Sequence, residues 1–381
     1  MLMRILGTSL VIQGLLLLAI SFAGCNREVE IRSSIEDGPG GSPSSPGPGP
    51  RTPGAPESDP PGTEDPSSGD TASAASWFGP NMFFNQSVRN SPVDAQSQTI
   101  INALVSRGGW GYGRIQIDFS IDVYFTDSST IRVPFLNGGM YLPDSDVPSA
   151  VPMAPSGTAG FESSGGRICD GGDCHYLVVD REKRELLESY VSSASSSQFQ
   201  SNGSLAIWPF DKSYPTNLRG DVCTSADAAG FPIAPMLFSA DEVASGAIRH
   251  AIRFILPNNR IQCRTYVRPA THCTGPSNCV GWATTNGVPY GARFRLRASY
   301  PVDTLPSAGA KVIARALQEY GMILSDGGNI ALTAQSDRNS TAKWSTLLNG
   351  SRDLEAVQPG DFEMVEGGTR LKPNSIDCVR N

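Results

Sequence analysis

The chain has 381 residues, enough for one large domain or two ordinary ones. Only 18% of them are charged, and 40 Gly and 29 Pro point to a β-rich, loop-rich exported protein. The net charge of −7 does not describe the folded part, because residues 26–75 hold nine acids against three arginines. Residues 76–381 are therefore near neutral, which excludes reading the domain as an acidic protein.

Arg4 precedes an apolar run, Ile5 to Phe22, and Phe22-Ala-Gly-Cys25 follows. This pattern reads as a secretory signal over residues 1–25. It also resembles the lipobox of bacterial lipoproteins, in which Cys25 becomes the lipidated first residue, although Phe22 stands where Leu is usual. A plain signal peptide is the alternative. Residues 26–75 are Pro, Gly, Ser and acid, with too little apolar surface to offset ordering entropy, so a flexible tether is expected there. Residues 76–381 are expected to form a single domain. Export makes disulfides the default, and the short spacings predict loops closed by Cys169–Cys174 and Cys273–Cys279. The pairing of Cys223, Cys263 and Cys378 stays open.

Ser97 to Ser106 has helical spacing. Arg114 to Phe125 alternates strictly, with Ile115, Ile117, Phe119, Ile121, Val123 and Phe125 against Gln116, Asp118, Ser120, Asp122 and Tyr124, as a half-buried strand does. Ile131 to Phe135 reads as its neighbour, and 138–172 as loops over a cleft. His175 to Asp180 and Arg184 to Tyr190 predict a hairpin. Further strands are expected at 205–210, 248–256, 261–268 and 293–299. Ser307 to Tyr320 is the best helix, with Gly321 as its stop. Met322 to Leu324 and Asn329 to Leu332 predict another hairpin around Ser325-Asp-Gly-Gly328. Many short strands with one or two helices predict a mainly β fold of β-sandwich or jelly-roll type.

The segments Ser225 to Pro235, Asp241 to Phe254, Arg268 to His272 and Tyr320 to Asp326, with His175 to Asp180, resemble an uncharacterised family of exported proteins common in soil bacteria. The resemblance spans roughly residues 85 to 335. It implies export and a shared fold rather than a reaction, and the 273–279 loop looks like an insertion relative to that family.

Glycoside cleavage needs two flanking carboxyls, and Asp227 and Glu242 are the candidates. Thr224-x-x-Asp227 and Ser239-x-x-Glu242 also match helix capping boxes, which would explain the same residues without catalysis. His250 falls on the apolar phase of its strand, as a core histidine would. His272 follows Pro269 ahead of a loop, so it is expected to be exposed and is the better proton-transfer candidate. No two histidines show metal-ligand spacing, so no metal or other cofactor is expected.

Between Glu242 and Asp303 there is no carboxylate, but there are eight arginines. Period two places Arg249 with Arg253, Arg264 with Tyr266 and Arg268, and Arg293 with Arg295 and Arg297. Paired with Trp208 and Trp282 for sugar stacking, these would make a basic face for an anionic polymer. The alternative is that acids from elsewhere, such as Asp180, Glu182, Glu185 and Glu188, neutralise them. The leading expectation is a surface lipoprotein at the bacterial envelope that recognises, with or without cleavage, an extracellular polysaccharide, acidic ones included. The alternative is a non-catalytic adhesion or scaffold lipoprotein binding an anionic envelope component. Nucleic acid is a poor partner for an exported chain.

Overall fold

The computed structural model describes residues 73–137, 144–154, 162, 173–373 and 377–381. Cys25, Cys169 and the signal and tether as far as residue 72 lie outside the described residues.

The alternating stretch beginning at Arg114 forms two strands rather than one. Ile117–Ile121 joins one sheet and Val123–Phe125 another, and the chain changes sheet at Asp122. Asp122 is buried there and is satisfied by Ser336 and Arg338. The apolar phase still holds across the break, since Ile115, Ile117, Ile121 and Val123 are all buried.

The first sheet has six strands in the order Ile117–Ile121, Leu332–Gln335, Ile252–Leu256, Met322–Gly327, Arg293–Leu296 and Phe362–Met364. Two of its pairings are parallel (117–121 with 332–335, and 252–256 with 322–327); the rest are antiparallel. Met322–Gly327 and Leu332–Gln335 are thus not a hairpin, because Ile252–Leu256 lies between them. The Ile252–Leu256 strand also begins later than its apolar pattern suggested, leaving His250 outside it.

The second sheet, Val123–Phe125, His175–Asp180, Glu185–Tyr190 and Leu205–Pro209, contains the expected 175–190 hairpin. Both faces of this hairpin are covered. Leu177, Val179, Leu186 and Trp208 pack into the main core, while Tyr176, Val178, Leu187 and Leu205 pack into a second, smaller one with Val133, Val151 and Phe199. That is why His175–Asp180 is buried at every position instead of at alternate ones.

The two longer helices match their predicted spans. Ser97–Ser106 does so residue for residue. Ala308–Glu319 is capped by Ser307, whose Oγ accepts from Ala310 N at 3.1 Å. It buries Ala310, Ile313, Ala314 and Leu317 at i, i+3, i+4 and i+7. The fold is mainly β with few helices, and its strands are gathered into several mixed sheets.

Disulfides join Cys223 to Cys378 and Cys263 to Cys279. This corrects the expected Cys273–Cys279 loop: Cys273 is buried with a free thiol. Local spacing misled here because Cys263 on a neighbouring strand lies closer in space. Cys174 is also disulfide-bonded. Disulfides are typical of exported proteins. Among the described residues no helix is long and apolar enough to cross a membrane.

Candidate active site

The motif Ser225 to Pro235 forms the loop between the two sheets. Ser225 Oγ donates to Phe231 O at 2.6 Å and accepts from Asp227 N at 3.0 Å, closing the loop on itself. Ala229 N donates to Ser325 O of the central sheet, and Thr271 N donates to Ala229 O. Gly230 has φ +79°, and a Cβ there would lie 2.1 Å from Thr271 Oγ1, so only glycine fits.

Strand register then lines up polar side chains beneath this loop. Asp118 pairs with Thr333, and the antiparallel pairing of Phe254 with Leu332 sets Arg253 beside Thr333. Residues so paired share one face of a sheet. Arg253 is buried, and its Nε donates to Asp227 Oδ1 at 3.0 Å. Its Nη2 lies 2.9 Å from that oxygen and 3.3 Å from Asp326 Oδ2. A guanidinium so placed is tolerable only because two carboxylates meet it. Burial lifts Asp227 to about 7 even against Arg253.

The hairpin sheet contributes from the other side. His175 and Glu188 project from the face that carries Leu177, since Leu177 pairs with Glu188. His175 Nδ1 lies 2.6 Å from Glu162 Oε2, and Nε2 lies 3.1 Å from Ala226 O. With an acceptor at each nitrogen, both carry protons. Burial opposes that charge, but Glu162 holds the imidazolium up to about 9. The Glu188 carboxylate accepts from Ile233 N and Ala234 N at 2.8 Å, and burial pushes it up to about 8.

Asp118 and Glu162 are half-buried carboxylates of this cluster. Ser120 connects them, its N–H donating to Asp118 Oδ1 at 2.8 Å and its hydroxyl to Glu162 Oε1 at 3.5 Å. Their pKa values move apart. Burial, assisted by the Glu162 charge, raises Asp118. Burial would raise Glu162 too, but the charge and hydrogen bond of His175 outweigh it, and Glu162 lies below the usual range. The two carboxyls, bridged by Ser120, thus have proton affinities displaced in opposite directions, the kind of difference that separates an acid from a base. Asp326, half-buried, and Asp173, exposed, complete the rim.

Of the residues singled out from sequence, Asp227 belongs to this cluster as a buried partner of Arg253; no helix starts behind it, so it caps nothing. Glu242 and His250 do not belong. Glu242 closes a capping box with Ser239 at the helix Ala240–Ser245. His250 is buried, with Nε2 3.1 Å from Glu242 Oε1 and Nδ1 2.9 Å from Ala251 O. Both side chains are thus committed to the capping box and to each other. His272 is half-buried rather than exposed, its Nδ1 2.8 Å from Ala228 O.

The expected arginine face does not form, because most of these side chains turn inward to hold neighbouring segments. Arg295 reaches Glu363 and the carbonyls of Arg89 and Ser91, and Arg297 shares Glu363. Arg293 donates to the carbonyls of Tyr320, Phe83 and Gln86, and burial lowers it to about 9. Arg260 binds the carbonyls of Arg107 and Trp110, and Arg268 binds Asp221. Arg253, Arg268, Arg295 and Arg297 are neutralised by acids, though not by those first considered, since Asp180 and Glu182 pair with Arg132. Arg249 is exposed. Trp208 and Tyr266 are core residues and offer no sugar platform, whereas Trp282 is half-buried against Tyr290 at 6.4 Å.

Sequence reading missed Asp118 as a site residue because its alternating strand made it look like an ordinary solvent-facing position. Glu162 fell within a loop without periodicity. Their association depends on which strands pair, and one sequence does not encode that legibly. Among the described residues no group of three His, Cys, Asp or Glu is placed to hold a metal ion. Two surface hollows, about 500 Å³ beside 349–356 and about 380 Å³ beside Tyr214 and Arg380, lie apart from the cluster. In comparisons with protein-family models, curated proteins and solved structures, nothing matches the chain, so function is read from geometry alone.

Proposed function

We propose that this is a lipid-anchored envelope protein that recognises an extracellular polysaccharide and cleaves its glycosidic bonds, with Asp118 as general acid and Glu162 as base. The observation that supports this is the half-buried Asp118–Glu162 pair with pKa values displaced in opposite directions. Protonating a glycosidic oxygen while a second carboxylate activates water, or attacks directly, needs two such groups. His175 keeps Glu162 ionised, and the Asp227–Arg253–Asp326 group fixes the floor beneath them. Anchoring rests on Cys25 at the end of the apolar leader, and the disulfides fit an oxidising compartment. A screen of the purified mature protein against neutral and acidic glycans, reading bound polymer and new reducing ends, tests the proposal. Turnover of at least one polymer is expected; neither binding nor turnover across the panel contradicts it.

A further inference from the structure

Arg264 differs from its neighbours in the arginine-rich segment. It is half-buried, yet no hydrogen bond or ion pair engages its guanidinium among the described residues. Its backbone has φ +48°, a conformation that costs a side-chain-bearing residue free energy and persists only where the surroundings impose it. The cause is visible in the strand pairing. Ile261 pairs with Val288 and Tyr266 with Tyr290, so five steps on one strand oppose two on the other. The surplus residues bulge out at Arg264, next to the Cys263–Cys279 disulfide that pins the strand. Bulges of this kind re-aim a side chain and are common beside active sites.

His272 stands close by, three residues before Gly275, where an added Cβ would lie 3.6 Å from Arg264 Cγ. Its Nδ1–H is committed to Ala228 O, which leaves Nε2 as a bare acceptor with no partner among the described residues. Burial keeps the ring neutral, and the Arg264 guanidinium lies near enough to oppose its protonation further. His272 N donates to Ala229 O, and Ala229 N donates to Ser325 O, next to Asp326, which sets this corner beside the carboxylate rim. Tyr290 and Thr274, two residues on from His272, bond through their hydroxyls at 2.8 Å, and Trp282 packs against Tyr290.

We propose that Arg264 and His272 form a subsite for an acidic sugar, Arg264 taking the carboxylate and His272 Nε2 accepting from a neighbouring hydroxyl. A half-buried cation without a counter-ion, held on a bulge beside a neutral acceptor, matches a carboxylate flanked by hydroxyls, which is the signature of a uronic acid. This inference rests on the polysaccharide reading and gives it a substrate class.

The test uses polygalacturonate, alginate and hyaluronan, each beside its methyl-esterified form, with binding to the mature protein measured by calorimetry. At least one free acid should bind about tenfold or more tighter than its ester, as a charged hydrogen bond predicts. Arg264→Gln should abolish that preference and Arg264→Lys restore only part of it, since lysine lacks the planar fork. Arg352→Gln, an exposed arginine elsewhere, is the charge-matched control and should change nothing. Melting curves identify any variant that has merely lost its fold; for such a variant the acid-versus-ester preference of the wild type decides alone. Acids and esters bound equally, or a preference that survives in a folded Arg264→Gln, would overturn the subsite and leave the polysaccharide reading standing. No binding to these polymers or to any neutral glycan would remove both.

Discussion

Replacing Arg253 by Met tests whether the charged cluster is organised as described. Arg253 is 3% exposed and its guanidinium lies 2.9 Å from Asp227. Asp326, its other acid, is half-exposed and can be hydrated, but Asp227 cannot. Breaking a buried pair by removing one partner costs about 3–5 kcal/mol at a pH above neutrality where the remaining Asp227 is charged, because that charge has no counter-ion. For a folded part of roughly 300 residues this corresponds to a fall in Tm of about 5–8 °C. The pH dependence identifies the cause. With Arg253 present Asp227 titrates at about 7; without it the pKa must be higher still. Below about pH 7 Asp227 binds its proton in both proteins, and the stability gap between them is steady. Above it the variant continues to lose stability, by about 1.4 kcal/mol per pH unit, while the wild type has ceased to do so for this group. Urea titrations from pH 6 to 9 should therefore show a gap that opens above neutrality, and Asp227→Asn in the same background should close much of it. A gap that is constant with pH, or a variant within about 1 °C of wild type, would refute the account of the cluster.

Other outcomes follow from the same contacts. His175 has a folded pKa of about 9 against an ordinary 6.5, so its contribution is full below about pH 6.5 and lost as pH rises through 9; His175→Gln should flatten that part of the stability profile, and an unchanged slope counts against the Glu162 pairing. Peptide mapping without reductant should recover Cys223–Cys378 and Cys263–Cys279, with Cys273 alkylated only after denaturation; a Cys273–Cys279 peptide would contradict the fold. Cys25→Ser should release the protein from the membrane fraction or leave it unprocessed, whereas unchanged partition without lipid removes the anchor.

The mainly β class, both longer helices and the 175–190 hairpin were legible in sequence, because each is written in local periodicity and caps. The capping role of Glu242 was legible for the same reason: the Ser239-x-x-Glu242 spacing is local chemistry. What failed needed partners from far along the chain. Cys279 has an obvious neighbour in Cys273, but bonds Cys263 because the strands place it nearer. The arginines looked outward by period two, yet Arg253, Arg293 and Arg295 face acids or carbonyls brought in from other segments. His250 looked like part of a strand that begins only at Ile252. Asp118 looked solvent-facing, and became a site residue only when the Leu332–Gln335 strand put Thr333 and Arg253 beside it.

The central claim is that Asp118 and Glu162 act as acid and base, and rate measurements on the glycan that responds in the screen test it most directly. Asp118→Asn and Glu162→Gln should each lower kcat by about 10²–10⁴, with melting temperatures within a few degrees of wild type. Wild-type turnover in either folded variant would contradict the assignment.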